Sequence, residues 1–231
     1  MSLVGREFKP LTTKIGPYIC LTSISDELQN ILLNVGNKIR KNKFLKQKND
    51  YRKRLAGNLK EEYSYANAFT PNQRQKVNEE LLWLVSNYTK AASQFTRKNC
   101  ACEPYEIFLQ EPIWINYMKQ GEWNPLHAHS GDISCVMYLK IPKEIEDENN
   151  TTEESSKSNT PSAGRIEFSY GEDIGYTVSG AMYTPKEKDI ILFPAKLNHM
   201  VYPFKSKTER VSVSVNFSDM KKAKLNLGMK P

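Results

Sequence analysis

The sequence predicts an α+β chain that is mainly β, a sandwich or barrel of short strands with helices packed against it. Three observations predict this. Apolar residues in the first hundred positions recur at helical spacing. From about residue 105 the pattern changes to short apolar runs bounded by turn residues. The last of these runs, 209–217, alternates between polar and apolar side chains.

The first helix is read from Leu28, Ile31, Leu32, Val35 and Ile39, with Ser25 or Asp26 as its cap. A longer helix starts at Thr70-Pro71-Asn72-Gln73. Thr70 suits the N-cap, Pro71 the first helical position, and Gln73 closes a capping box. Val77, Leu81, Leu84, Val85, Tyr88 and Phe95 line one face, and the helix runs to about residue 97. Both stripes are core surfaces made to pack on a sheet. The strands are expected at 106–109, 113–118, 133–141, 165–170, 181–184, 189–193, 199–203 and 209–217. So many short strands at near-regular spacing indicate a sandwich or barrel. In the last strand Arg210, Ser212, Ser214 and Asn216 share one face, and Val211, Val213, Val215 and Phe217 the other. The valine face is expected against the helices, which leaves the polar face to line a cavity. The segment 143–162 is rich in Glu, Asn, Thr and Ser and reads as a flexible insertion between strands. The chain thus divides into a helical region 1–104, a β-rich core 105–220 and a tail 221–231.

Composition excludes several classes. At 39% hydrophobic residues and a mean hydropathy of −0.61, the chain can build a core yet holds no apolar run of membrane-spanning length. The opening residues lack a secretory core, which suggests the cytoplasm. Cys20, Cys100, Cys102 and Cys135 are then expected as thiols, and Cys100-Ala101-Cys102 lacks the second pair that structural zinc needs. The net charge is +7, and positions 38–60 hold ten Lys and Arg against Asp50 alone. Without aromatic interleaving, this block reads as a solvated surface and not as a nucleic-acid module.

The chemistry lies in the histidines. The chain has three: His127 and His129 in Gly-Glu-Trp-Asn-Pro-Leu-His-Ala-His, and His199 after the run Ile190 to Pro194. Imidazole ligates divalent first-row metals. Two ligands on one extended segment and a third from a distant strand make an open-faced metal site. Arg210, eleven residues after His199, offers an anion socket. Asp132 is the alternative to His129 as second ligand.

Five elements in order carry a resemblance. They are His127-x-His129, Ser134-Cys-Val-Met-Tyr138-Leu139, Gly164-Arg-Ile166-Glu-Phe168, Leu192-Phe193-Pro194 leading to His199, and Arg210-Val211-Ser212. Residues 105–218 resemble the Fe(II)- and 2-oxoglutarate-dependent dioxygenases. Within these they resemble the prolyl-4-hydroxylase-like branch and its small bacterial and phage members. The resemblance implies a double-stranded β-helix (jelly-roll, cupin-like) core with N-terminal supporting helices. It implies Fe(II) on His127, His129 and His199, although the family's usual second ligand is a carboxylate. It further implies 2-oxoglutarate held by Arg210, Ser212 and Tyr138, with O2 as oxidant and ascorbate as a possible reductant. Asn116 and Asn216 are expected beside the cosubstrate, and Tyr117, Trp123 and Asn124 beside the substrate. The activity implied is hydroxylation of a C–H bond, in a prolyl residue of a peptide or protein or in a small amino-acid-like molecule. Two alternatives stand beside it: a three-His cupin-type dioxygenase that does not use 2-oxoglutarate, and a non-enzymatic β-sandwich binding module. The oligomeric state is not legible.

Overall fold

The computed structural model describes residues 16–150, 161–172 and 178–219. Helix α1 (Asp26–Lys41) starts at Ser25, whose Oγ accepts from the Leu28 N–H at 3.1 Å. It buries Leu28, Leu32, Val35 and Ile39. A Cβ on Gly36 would stand 2.6 Å from Ile115 Cδ1, so glycine lets the helix press close to the sheet. A short helix α2 (Lys43–Lys48) follows, which the sequence pattern did not reveal. Helix α3 (Pro71–Thr96) carries the expected capping box: Gln73 N–H donates to Thr70 Oγ1, and Thr70 N–H donates to Gln73 Oε1. Its stripe is buried from Val77 to Tyr88, whereas Phe95 stays 38% exposed, its ring 5.2 Å from that of Tyr18. Among the described residues no helix is long and apolar enough to cross a membrane.

Among the described residues, ten strands form two antiparallel sheets. They are β1 (Cys20–Ser23), β2 (Glu62–Ser64), β3 (Ile107–Lys119), β4 (Asn124–His127), β5 (Ile133–Lys140), β6 (Ile166–Ser169), β7 (Gly180–Tyr183), β8 (Asp189–Pro194), β9 (Asn198–Val201) and β10 (Glu209–Asp219). The larger sheet has the order β1-β8-β5-β10-β3-β2, and the smaller β4-β9-β6-β7. On one face of the larger sheet, Val211, Val213, Val215 and Phe217 pack with Ile115, Met137 and Ile190 against α1 and α3. On the other, Met118, Tyr138 and Phe193 pack with Ile166, Phe168, Leu197 and Val201 of the smaller sheet region. The larger sheet is therefore buried on both sides, each core side chain stabilising by about 1.5–3 kcal/mol.

Three expectations need correction. The runs 106–109 and 113–118 are one strand, β3, which passes through Pro112. The ladder to β10 is irregular there, between Ser214↔Trp114 and Asn216↔Gln110, so a residue with no N–H costs no hydrogen bond. The helical region 1–104 also supplies strands, since β1 pairs β8 and β2 pairs β3. The insertion 143–162 begins as helix α4 (Lys143–Asn150). Ile145 is buried, Asn149 Nδ2 donates to Ala163 O, and the Glu148 carboxylate accepts from the backbone N–H groups of Lys205 and Ser206. One apolar anchor and two polar clamps suffice where composition suggested none. The rest of the insertion, 151–160, and the tail 221–231 lie outside the described residues.

The basic block is only partly a solvated surface. Arg40 and Lys46 reach the carboxylate of Glu61, which also takes Lys119. Burial opposes the Glu61 charge, yet hydrogen bonds from Arg40, Lys119, Lys46 and Tyr63 hold its carboxyl well below the usual range. Arg40 also bridges to Glu209, and these bonds raise its pKa further.

Candidate metal centre

The three histidines meet between the sheets. His127 ends β4 and lies directly opposite His199 of β9. His129 follows the strand, its N–H tied to Ala195 O at 2.8 Å. One ring nitrogen from each lies within 4.8 Å of the others. The Nε2 atoms of His129 and His199 are 3.1 Å apart, about the separation of two ligands at right angles on an ion roughly 2.1 Å away. His127 Nδ1 lies 2.6 Å from Pro125 O, and His199 Nδ1 2.9 Å from Leu197 O. A carbonyl can only accept, so both Nδ1 atoms carry the proton and both Nε2 lone pairs are free for a metal. Burial, with the neighbouring histidines, pushes His129 down to about 3; burial and His127 push His199 down to about 4. Both are neutral at pH 7, the form that ligates. Phe193 meets His199 edge-on with ring centroids 4.8 Å apart, and Trp114 stands 5.8 Å from His129.

These rings open on a cavity of about 180 Å³. Strand register explains its lining. Across the larger sheet, Glu62 faces Asn116, Asn116 faces Ser212, and Ser212 faces Tyr138, all on the inner face. Arg210 lines it too, 3% exposed, with Nη1 donating to Gly164 O at 2.8 Å. Its Nε has no partner, and no carboxylate pairs with it among the described residues. Burial therefore lowers its pKa. The Tyr138 hydroxyl is also buried without a partner, 5.6 Å separating the Arg210 guanidinium from its ring. A buried cation and a buried hydroxyl left unsatisfied in one cavity imply an absent anion.

The sequence profile described as "Putative 2OG-Fe(II) oxygenase" matches residues 112–216. The matched residues, which include the three histidines and Arg210, are similar to the 2OG-Fe(II) oxygenases. No curated protein sequence matches the chain. Among solved structures it is similar to AviO1 from Streptomyces viridochromogenes Tue57, at 10% identity over 87% of this chain and 89% of that one, with a TM-score of 0.52. It is also similar to a Pseudomonas putida prolyl-4-hydroxylase, at 11% identity over 87% and 92%, with a TM-score of 0.48. It spans 45% of a 2OG-Fe(II) oxygenase family oxidoreductase from Burkholderia pseudomallei, at 15% identity over 49% of this chain, with a TM-score of 0.34. At these identities the likeness is one of fold, and it rests on AviO1, the best superposed of the three. The family so described is one of oxidoreductases, whose cofactors are Fe(II), 2-oxoglutarate and O2. The donors fit that set: three convergent imidazoles for the metal, and for a dicarboxylate an arginine with no ion pair among the described residues.

The cavity does not take in every expected residue. Asn116, Asn124, Tyr138, Ser212 and Arg210 line it. Asp132 does not; its Oδ2 accepts from the Asp219 N–H, away from the histidines. Tyr117 points to the helix side of β3, where its hydroxyl donates to Asn37 Oδ1, because odd and even positions of a strand face opposite ways. Asn216 follows the ladder irregularity and accepts from Ser134 Oγ at 2.9 Å, so it braces a lining residue and is not one. Trp123 is 37% exposed and does not line the cavity. Sequence reasoning missed Glu62 and the loop Arg54–Gly57, which close one end of the cavity. Their one signal was the basic block itself, part of which is this rim.

Proposed function

We propose that this protein is an Fe(II)- and 2-oxoglutarate-dependent hydroxylase whose metal sits on His127, His129 and His199. The single supporting observation is the pairing, in one cavity, of three convergent imidazoles with a buried arginine that has no counter-ion. In this reading the two sheets form a double-stranded β-helix. Pro125 O and Leu197 O hold His127 and His199 in the ligating tautomer. Arg210 binds the far carboxylate of 2-oxoglutarate through charge-assisted hydrogen bonds, and the Tyr138 and Ser212 hydroxyls complete the socket. Asn116 borders the cosubstrate. Phe168, Phe193 and Trp114 wall the centre and exclude water. The bound iron and cosubstrate supply oxidative hydroxylation of a C–H bond, with 2-oxoglutarate decarboxylated to succinate. A third histidine in place of a carboxylate leaves the centre one negative charge poorer, which favours an anionic cosubstrate. The substrate class is a prolyl residue in a peptide or protein, or a small amino-acid-like molecule, with ascorbate as the reductant that restores Fe(II). The unpaired Arg210 disfavours a three-His dioxygenase without 2-oxoglutarate, since that chemistry would leave the socket with no anion to hold.

The test is anaerobic titration of 2-oxoglutarate into the Fe(II)-loaded protein, followed by visible absorption. A charge-transfer band should saturate in the parent, need far more 2-oxoglutarate in Arg210→Ala, and weaken in His129→Ala. Bound iron without any band would overturn the 2-oxoglutarate assignment.

A further inference from the structure

We propose that the cavity mouth is a subsite for a nitrogen cation of the substrate, an ammonium or guanidinium group, with Glu62 as its counter-ion and Asn124 as a second acceptor. The inference rests on the reading of the cavity as the oxygenase site, and names what part of the substrate it recognises.

Glu62 is 1% exposed, and its Oε2 is buried without a hydrogen-bond partner. A buried carboxylate with neither an ion pair nor a hydrogen bond is costly and rare. No cation nearby makes an ion pair with Glu62 among the described residues. Arg52 pairs with Asp50, Lys119 with Glu61, and Arg54 on the same rim is exposed and makes no ion pair among the described residues. The second buried carboxylate of the region, Glu122, is satisfied by the backbone N–H groups of Lys60 and Lys119. Glu62 faces the cavity with no ion pair of its own among the described residues. Burial, then the charge of Glu122, pushes its pKa up to about 7, so a cation placed beside it would be welcomed.

The neighbouring atoms share one character. Asn124 Oδ1 and Asn116 Oδ1 are also buried without partners, and both residues line the same cavity. Asn116 lies directly across the ladder from Glu62. A Cβ on Gly57 would fall 2.3 Å from Asn124 Oδ1 and 3.2 Å from Glu62 Oε1. Two acceptors from distant segments therefore crowd one point, and only a glycine leaves that point open. An amide can rotate to exchange its oxygen and nitrogen, but the Glu62 carboxylate offers acceptors either way. Arg210 at the cosubstrate end and Glu62 at the mouth give the cavity opposite charges at two positions. An anionic cosubstrate and a cationic substrate would thus be sorted without competing.

The experiment is calorimetric titration at pH 8 of the Mn(II)-loaded full chain with four probes: L-lysine, L-norleucine, L-arginine and L-citrulline. At least one cationic probe should bind at least tenfold more tightly than its neutral isostere, and Glu62→Gln should remove that preference. Lysine over norleucine assigns an ammonium; arginine over citrulline assigns a guanidinium. Gly57→Ala, which keeps every charge but fills the gap, should weaken the same probe. Titration with 2-oxoglutarate runs alongside, and should be unchanged in both variants. Cationic probes that bind Glu62→Gln as well as the parent, or that fail to bind at millimolar concentration, would overturn the proposal. A cation preference that survives while 2-oxoglutarate fails to bind would sink the cosubstrate reading and leave the subsite standing.

Discussion

Replacing Arg210 by methionine separates a residue that holds an anion from one that holds the fold. The guanidinium is 3% exposed, and its Nη1 donates to Gly164 O. Without an anion the protein carries an uncompensated buried cation. Exchanging buried ionic groups for apolar ones of similar volume runs from neutral to about 4 kcal/mol stabilising. Against this stands a buried carbonyl that loses its donor, about 1–3 kcal/mol. The two effects oppose each other, so the ligand-free variant should lie within about 3 kcal/mol of the parent. With 2-oxoglutarate present the balance changes. Truncating one partner of a buried, hydrogen-bonded charge pair costs about 2–5 kcal/mol, a loss of roughly thirty-fold to several-thousand-fold in affinity. A ligand at a hundred times its Kd adds about 2.7 kcal/mol to the parent, and the variant should forfeit most of it. Urea unfolding of the Mn(II)-loaded protein, with and without 2-oxoglutarate, reads both quantities. The reasoning is refuted by a variant that keeps the 2-oxoglutarate gain, or that loses about 4 kcal/mol or more with no ligand present.

Three further outcomes are expected. His129→Ala should weaken Mn(II) binding by more than about 100-fold while Asp132→Ala leaves it near the parent value; the reverse result would move the ligand to Asp132. Gly131 has φ +84° and a Cβ there would sit 2.7 Å from Phe217 O, so Gly131→Ala should cost about 1–3 kcal/mol, and an unchanged unfolding midpoint would contradict this. Glu61 is held below its usual pKa, so its contribution to stability is complete above the unfolded value of about 4.3 and is lost as pH falls below it. Denaturant midpoints measured across pH 6 to 2 should therefore fall less steeply for Glu61→Gln, which begins from a lower plateau; parallel curves would argue against that role.

Some of this was legible in the sequence for clear reasons. Thr70, Pro71 and Gln73 specify a helix start by local hydrogen bonding alone, and the capping box is present. The alternation of β10 assigns its faces because a strand must, so the valines meet the helices and Arg210, Ser212 and Ser214 meet the cavity. The histidines were legible because imidazole pairs carry chemistry that the flanking strands bring together. What failed was decided by tertiary contacts. Strands β1 and β2 are too short to show a period, and they exist because β8 and β3 offer them open edges. Helix α4 depends on Ile145 and on Glu148 reaching residues 205 and 206. Tyr117 was assigned by its closeness in sequence to Asn116, although adjacent strand residues face apart. Glu62 has no motif at all; its meaning is its lack of a partner, which only the folded chain displays.

The two halves of the site rest on scaffolds of unequal permanence. Arg210 rides on β10, which is flanked on both sides by β5 and β3. His127 rides on β4, a four-residue strand at the border of the smaller sheet, paired to β9 alone and irregularly. Border strands open at a lower cost than central ones. Amide hydrogens around residues 124–127 should therefore exchange through local opening, while those of 211–215 should wait for global unfolding. A metal held by His127 would then leave and return through a small excursion of one strand, with Arg210 and the main sheet still closed behind it.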